Sequence, residues 1–382
     1  MSARGFYTLL GGLLLMATAL SVGSAGAFLL GCTALCAFAL ALVSALAAAA
    51  TCCIAQSADC EQVVRKEQVT YTLSVKMFSP LPVAPLSLHI CLPSGRESDF
   101  LLTARMLGET YSENAFTCPH VGVCPVGVTE VTVSDCFSLF TLRRRVRAPL
   151  CRVSVLPDPA DAPCPAFSPG EGEHSAAQRA QSDRTTPVDT RAWQEGDDLK
   201  RVHWKLSMRR QSLMVHTYET PQRPDALILL DCTQPECADG ERAQVIDALT
   251  EECAGAAKAL LEAEHPVRMP LCGRVTRELT GNTMDGLHAM LEALAQEPFD
   301  APGGFDRVLL LSARRMRRTG ATVVLTTSLT PRIADTLIAL SRMGPRTALT
   351  LVTAQPLTER QDKLLHLLRA SGVDARHVSA GE

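Results

Sequence analysis

The sequence predicts an α+β multidomain protein: an N-terminal transmembrane helical hairpin, a β-sandwich-like module, then an α/β module. Three observations carry this. Not one charged residue lies between Gly5 and Ala58. From about residue 60 to 156 apolar residues alternate with polar ones in short runs cut by proline and glycine, as in half-buried strands. From 188 onward short apolar runs alternate with stretches of helical period, the pattern of a parallel sheet covered on both faces. The boundaries read as 1–58 for the hairpin, 59–156 for the β-module, 157–187 for a flexible linker and 188–382 for the α/β module.

The uncharged N-terminal run exceeds the ~20 residues that one bilayer crossing needs and suits two. One span falls near Phe6–Val22 and the second near Ala27–Ile54, with Ser21, Gly23, Ser24 and Gly26 as the polar break. Arg4 precedes the first span, Arg65 and Lys66 follow the second, and the link is uncharged. Lysine and arginine mark the cytoplasmic side of a span, so the expected location is the plasma (inner) membrane with both termini cytoplasmic. A signal-peptide reading competes, because Leu29-Leu30-Gly31-Cys32 approximates a lipoprotein cleavage box. However, the chain stays apolar well past Cys32, where a mature lipoprotein turns polar.

A net charge of −3 argues against general nucleic-acid binding. The fifteen cysteines are an odd number without CxxC pairs, which fits a reducing compartment. Cys118-x-His120-x-x-x-Cys124 lacks the second half of a zinc site; with Pro119 and Pro125 it reads as a turn.

In the β-module Val69, Tyr71, Leu73 and Val75 alternate with polar partners, as do Leu86, Leu88 and Ile90, then Val128, Val131 and Val133. An antiparallel sandwich or small barrel follows. Arg143, Arg144, Arg145 and Arg147 form the densest basic cluster. It reads as a solvated face, with anionic lipid heads as the alternative contact. Residues 157–187 have almost no aliphatic side chains and cannot bury enough surface to order themselves. Beyond them, Ala226–Leu230 is a short strand ending at Asp231, and Glu241–Glu264 has helical period. Val267–Cys272, Ala321–Thr326 and Ala348–Thr353 are candidate strands, separated by helical segments near 283–296, 331–343 and 357–371. Arg314, Arg315, Arg317 and Arg318 read as a solvated helix face.

Both tryptophans sit in one polar stretch, Arg191-Ala192-Trp193-Gln194-Glu195-Gly196-Asp197-Asp198-Leu199-Lys200-Arg201-Val202-His203-Trp204-Lys205. With Ser207, Arg209 and the following Leu213-Met214-Val215, this resembles the signature of the domain-of-unknown-function family 58. Val133-Ser134-Asp135-Cys136-Phe137-Ser138-Leu139-Phe140 is similar to that family's D-x-F-G-L-F element, with Ser138 in place of the glycine that reaches positive φ easily. Val153-Ser154-Val155-Leu156-Pro157 is similar to its closing strand. The resemblance implies a von Willebrand factor type A-like (Rossmann-like) C-terminal module, and co-occurrence with a MoxR-type AAA+ ATPase and other type A-domain proteins. A type A domain binds a divalent ion through an Asp-x-Ser-x-Ser loop, matched here by Asp231-Cys232-Thr233-Gln234-Pro235. Asp231 and Thr233 offer oxygens of the kind magnesium prefers, but Pro235 offers none. The expectation is a degenerate loop and no cofactor.

Within the signature, Asp197 or Asp198 is placed to cap a short helix with Leu199, Val202, His203 and Leu206 on one face. A strand also fits, since Val202, Trp204, Leu206 and Met208 alternate with polar residues. Arg191, Arg201 and Arg209 are near enough to pair with the acids, and Trp193 or Trp204 to stack on a guanidinium. His203, Asp197 or Asp198 and Ser207 are the residue types of a nucleophilic triad, but a triad is defined by geometry. No G-x-S-x-G elbow or H-E-x-x-H is present, and Gly303-Gly304 is an isolated pair. The signature therefore reads as a polar network and partner-binding surface built from Arg191, Trp193, Gly196, Asp197, Asp198, Arg201, His203, Trp204, Lys205, Ser207 and Arg209, with Trp204 buried and Lys200 and Lys205 exposed. The expected function is a non-enzymatic, membrane-anchored cytoplasmic adaptor working with the ATPase. Its rivals are an envelope-associated hydrolase using the signature residues and an exported lipoprotein with a structural role.

Overall fold

The computed structural model describes residues 3–79, 81–93, 97–105, 107–164, 189–194, 202–217, 225–316, 319–342 and 346–381. The chain divides into two compact units, Met1–Leu156 and Pro157–Glu382.

The first unit opens with α1 (Ala3–Val22) and α2 (Ala25–Thr51), both long and apolar enough to cross a membrane. Gly23, at φ +69, and Ser24, whose hydroxyl accepts the Ala27 N–H, make the tight link. Small residues let the helices approach: a Cβ at Gly31 would lie 3.2 Å from the Met16 nitrogen, and one at Gly12 would lie 3.2 Å from Leu35. Helix α2 ends at Thr51, short of the expected Ile54, because Cys53–Ala58 is already strand β1. Arg144 of a distant strand donates to the Ala49 carbonyl at the helix end (2.6 Å).

Strands β2 (Gln62–Val64), β3 (Gln68–Phe78), β4 (Leu86–Cys91), β5 (Glu97–Leu102), β6 (Leu107–Thr117), β7 (Gly122–Ser134), β8 (Thr141–Arg145) and β9 (Cys151–Leu156) follow. They form one sheet of order β1-β3-β6 and another of order β2-β9-β7-β4-β5 with β8 on β7. The alternation read from the sequence sends Tyr71, Leu73 and Val75 of β3 into the same core as Leu88, Val131 and Val153 of the other sheet. Gln56 of β1 links the sheets: its Oε1 accepts from the Tyr71 hydroxyl (2.8 Å) and the Val128 N–H (2.9 Å). Cys118 is buried in this core, and Cys124 lies on β7 near the Pro93 carbonyl.

The β7–β8 turn is built by buried Asp135, whose carboxylate accepts the N–H groups of Phe137 (3.0 Å) and Phe140 (2.7 Å). Ser138 sits at φ +53, so the turn keeps the left-handed residue that the serine resists. Ser138→Gly should therefore raise stability by about 1 kcal/mol, read from denaturant unfolding of the detergent-solubilised chain.

The second unit holds β10 (Asp189–Ala192), α3 (Trp204–Arg210), β11 (Met214–Thr217), β12 (Ala226–Leu230), α4 (Asp239–Glu262), β13 (Val267–Cys272), β14 (Thr276–Gly281), α5 (Met284–Gln296), α6 (Phe305–Met316), β15 (Ala321–Thr326), α7 (Pro331–Ser341), β16 (Arg346–Thr353), α8 (Glu359–Ala370) and β17 (Asp374–Ser379). Its main sheet has order β14-β13-β12-β15-β16-β17, parallel except for the antiparallel edge strand β14. Strand β12 is buried at every position, with Ile228 and Leu230 in the core under α4 and α5 and Leu227 and Leu229 in the core under α7 and α8. Strands β14 and β17 escaped the sequence reading because neither carries an apolar run: Thr-Arg-Glu-Leu-Thr-Gly is an exposed edge, and Asp-Ala-Arg-His-Val-Ser buries little.

The start of the expected linker is docked rather than loose. Ala160 donates its N–H to the Glu251 carbonyl (3.1 Å), and Ala162 packs against the α4 core. A Cβ at Gly255 would lie 2.1 Å from the Ala160 oxygen, so a side-chain-free position on α4 admits the strand of backbone. This contact is main chain against main chain, which composition does not register. The rest of the expected linker, 165–187, lies outside the described residues.

Candidate functional site

Two places combine exposed chemistry with a supporting framework: the cleft at the carboxyl ends of the parallel strands, and the signature.

Strand β12 delivers Asp231 to the sheet's carboxyl edge, fully buried. Its Oδ1 accepts the Thr233 N–H (3.0 Å) and hydroxyl (2.6 Å). Its Oδ2 accepts the hydroxyl of Thr326 at the end of β15 (2.7 Å), and that hydroxyl in turn accepts the Ser328 N–H (3.1 Å). Asp231 thus ties the loops after the two adjacent strands to each other. The chain order reverses between β12 and β15, the place where open α/β sheets form their ligand crevice. A cavity of about 740 Å³ lies there, lined among others by Thr233, Gln234, Gly304, Asp306, Ser328 and Arg332. Helix α7 points its N-terminus toward it, with the Thr330 hydroxyl accepting the Ile333 N–H and Pro331 in the first turn.

The structure brings Asp231 and Thr233 together as the sequence placed them, and adds Thr326, which the sequence reading missed. The only signal was the end of the candidate strand Ala321–Thr326, followed by Thr327 and Ser328. Magnesium requires close to six oxygens in octahedral array. This loop offers Asp231 and Thr233, already bonded to one another, and Pro235 supplies nothing. Among the described residues no three histidine, cysteine or acidic side chains converge to hold a metal. Beside the cleft, burial pushes the Cys232 thiol up, reinforced by Glu297. Burial likewise raises the Glu297 carboxyl, opposed by Arg277 and reinforced by Asp300.

The signature is organised around β11. Strand β10 pairs with it antiparallel, Ala192 opposite Met214, and the Trp193 N–H extends the pairing to the Leu213 carbonyl (2.8 Å). Val202 bridges to Val215 from the other side. Helix α3 starts at Trp204, and its cap is His203, whose Nδ1 accepts the Leu206 N–H (3.2 Å). This helix is seven residues long; the cap expected at Asp197 or Asp198 lies outside the described residues. Buried Ser207 donates to the His203 carbonyl (3.0 Å) and accepts the Met214 N–H (2.9 Å), clamping α3 to β11. Its hydroxyl is bonded to backbone at both contacts, while the acids of the candidate triad, Asp197 and Asp198, lie outside the described residues.

The expectation that Trp204 is buried fails: its side chain is 61% exposed, and Met208, one turn on, is 81% exposed. The clamped face is that of His203 and Ser207, which leaves the Trp204 face outward. Lys205 and Arg209 are exposed beside it. Gly196, Asp197, Asp198, Lys200 and Arg201 lie outside the described residues, as does the side chain of Arg191. In the second basic cluster, Arg315 on α6 pairs with Glu278 on β14 (3.2 Å), while Arg317 and Arg318 lie outside the described residues.

These features define a mixed α/β protein with two apolar N-terminal helices, several sheets and a polar signature set on a small β-pair. Residues 189–368 match the family described as Protein of unknown function DUF58. No curated protein matches the chain. Among solved structures, the chain is similar to the CARDB domain of a Pyrococcus furiosus protein in complex with di-metal ions, at 14% identity and TM-score 0.20, covering 28% of this chain and 94% of that one. It is also similar to the GH20 exo-β-N-acetylglucosaminidase of Vibrio harveyi in complex with N-acetylglucosamine, at 10% identity and TM-score 0.22, covering 86% and 82%. Cwp6 from Clostridium difficile matches at 11% identity and TM-score 0.20, covering 85% and 49%. Overlap this poor carries neither a fold nor an activity.

Proposed function

We propose that this protein is a non-enzymatic, membrane-anchored cytoplasmic adaptor whose signature helix docks a MoxR-type AAA+ ATPase. In this reading α1 and α2 form the transmembrane hairpin, and Arg4, Arg65 and Lys66 keep both termini on the cytoplasmic side. The two sheets of the first unit make a sandwich-like module. The second unit is type A-like, supported by its strand order and its single antiparallel edge strand. The observation that carries the adaptor reading is the outward face of α3: Trp204 and Met208 stand in the open on a helix that His203 and Ser207 hold rigidly. Tryptophan and arginine are the residues most enriched among binding hot spots, and a preorganised helix lowers the entropic cost of docking. Other type A-domain proteins are the second partner class.

The test is capture of the co-expressed ATPase by the detergent-solubilised full chain. Trp204→Ala/Met208→Ala should keep a near-native melting temperature, as exposed substitutions cost within about 0.5 kcal/mol, and should lower capture at least about ten-fold. Lys200→Glu/Lys205→Glu should weaken capture in the same direction. Undiminished capture by both variants would remove this face as the docking site.

A further inference from the structure

We propose that the β7–β8 turn, residues 135–140, enters the membrane beside α2 and inserts Phe137 at the acyl–headgroup boundary, so that the β-module grips the bilayer as well as hanging from it. The inference rests on the reading of α1 and α2 as a transmembrane hairpin. It starts from where the helices lie against each other. Gly12 meets Leu35 and Ala34, and Gly31 meets Met16 and Gly12, so Arg4, the last charge before the apolar run, stands roughly level with Leu42 at 1.5 Å of rise per residue. The turn reaches below that level. Phe140 packs against Phe38, with ring centroids 4.9 Å apart, and Leu139 and Phe140 close on Ala41 and Ala45. Phe38 lies about 6 Å deeper along the helix than the level of Arg4.

The turn is made for such a place. From Cys136 to Leu142 no residue carries a charge. The one charged side chain of the turn, Asp135, is buried with its oxygens on the Phe137 and Phe140 N–H groups, which also removes two backbone donors that hydrocarbon would penalise. Phe137, at the tip, is 58% exposed. Strand β8 then climbs along α2, where Arg144 binds the Ala49 carbonyl, about 16 Å above the Phe38 level. Arg143 and Arg145 flank it, largely exposed, sharing Glu130. An apolar tip below a collar of arginines matches the depth profile of a bilayer interface, where aromatics sit at the boundary and arginines reach phosphates. Continuity with α2 makes lipid, rather than a second protein, the occupant of the Phe137 face.

The experiment uses the full chain in phosphatidylcholine–phosphatidylglycerol vesicles, with Trp193→Phe and Trp204→Phe to clear the background. Single tryptophans are placed by Phe137→Trp and, on the exposed outer face of α1, Leu14→Trp. Lipids brominated at a shallow or a deep acyl position are the quenchers. The expected result is about a two-fold loss of Phe137→Trp emission with the shallow label, as for an interfacial indole, and quenching of Leu14→Trp by the deep label. If Leu14→Trp is quenched and Phe137→Trp emits as a water-exposed indole, the inference is overturned while the anchor stands. A blue-shifted but unquenched Phe137→Trp would show protein covering the face and overturn it too. An unquenched Leu14→Trp would overturn the transmembrane reading itself, and the inference with it.

Discussion

Asp231→Ala is expected to destabilise the second unit by about 3 kcal/mol, because it removes the acceptor of a buried network rather than a surface charge. The half-buried Thr233 N–H and hydroxyl lose the carboxylate oxygen they share, and breaking a buried hydrogen-bond network costs about 1–3 kcal/mol for each group left unpaired. The Thr326 hydroxyl loses less, since the Ser328 carbonyl lies 2.9 Å away as an alternative acceptor. In a domain of this size the melting temperature should fall by roughly 10 °C. Differential scanning calorimetry of the detergent-solubilised chain measures it, and Thr326→Val should reproduce a smaller part of the loss. Magnesium should leave the melt of the parent chain where it was. A substantial magnesium-dependent rise, abolished in Asp231→Ala, would make the loop an ion site and overturn the reading of Asp231 as a tie between two loops.

Phe140→Ala is the second large effect. The ring is buried and tilted at 59° to that of Phe38, joining the β-module to α2 together with Leu139, Ala41 and Ala45. Removing a buried phenylalanine ring costs about 3–5 kcal/mol. In detergent the expected sign is a lower unfolding midpoint and faster proteolysis at the α2–β1 junction, with Phe140→Leu recovering part of the loss. Phe137→Ala, at the exposed tip, should leave the midpoint in detergent within about 0.5 kcal/mol. A loss under 1 kcal/mol for Phe140→Ala would mean that the Arg144 and Ser44–Ser79 contacts hold the helix to the sheet without it.

The comparison of the signature with its structure shows where pattern reading stops. Among its described residues Trp204 is exposed where burial was expected, and His203 and Ser207 form the clamp. A helix of seven residues spans about two turns, too few for a period to separate an inward face from an outward one. The cap could be taken by any polar residue at the right φ/ψ, and His203 holds it because its carbonyl also receives the Ser207 hydroxyl. Once His203 and Ser207 face β11, Trp204 and Met208 have nowhere to point but out. The tryptophan's size argued for burial, and the clamp on the opposite face overrode it.

By itself the sequence determined the elements whose signal is local. Charge-free length sets the two apolar helices, alternation sets β3, β4 and β7 of the β-module though not β6, and buried runs set β12, β13, β15 and β16 together with helices between them. It also carried the family resemblance, because the signature is contiguous, and residues 189–368 match that family. What only the tertiary structure decided depends on partners far apart in the chain. The end of α2 lies where Cys53–Ala58 pairs with β3 and Arg144 bonds the Ala49 carbonyl, since that segment is as uncharged as the helix before it. The ordered start of the linker depends on the bare backbone at Gly255, and the strands β14 and β17 on the sheet edges that accept them. The cleft network depends on Thr326, 95 residues from Asp231. A hydrogen bond or a close approach of two backbones leaves no mark on composition or period, so it exists as information only once the chain has folded.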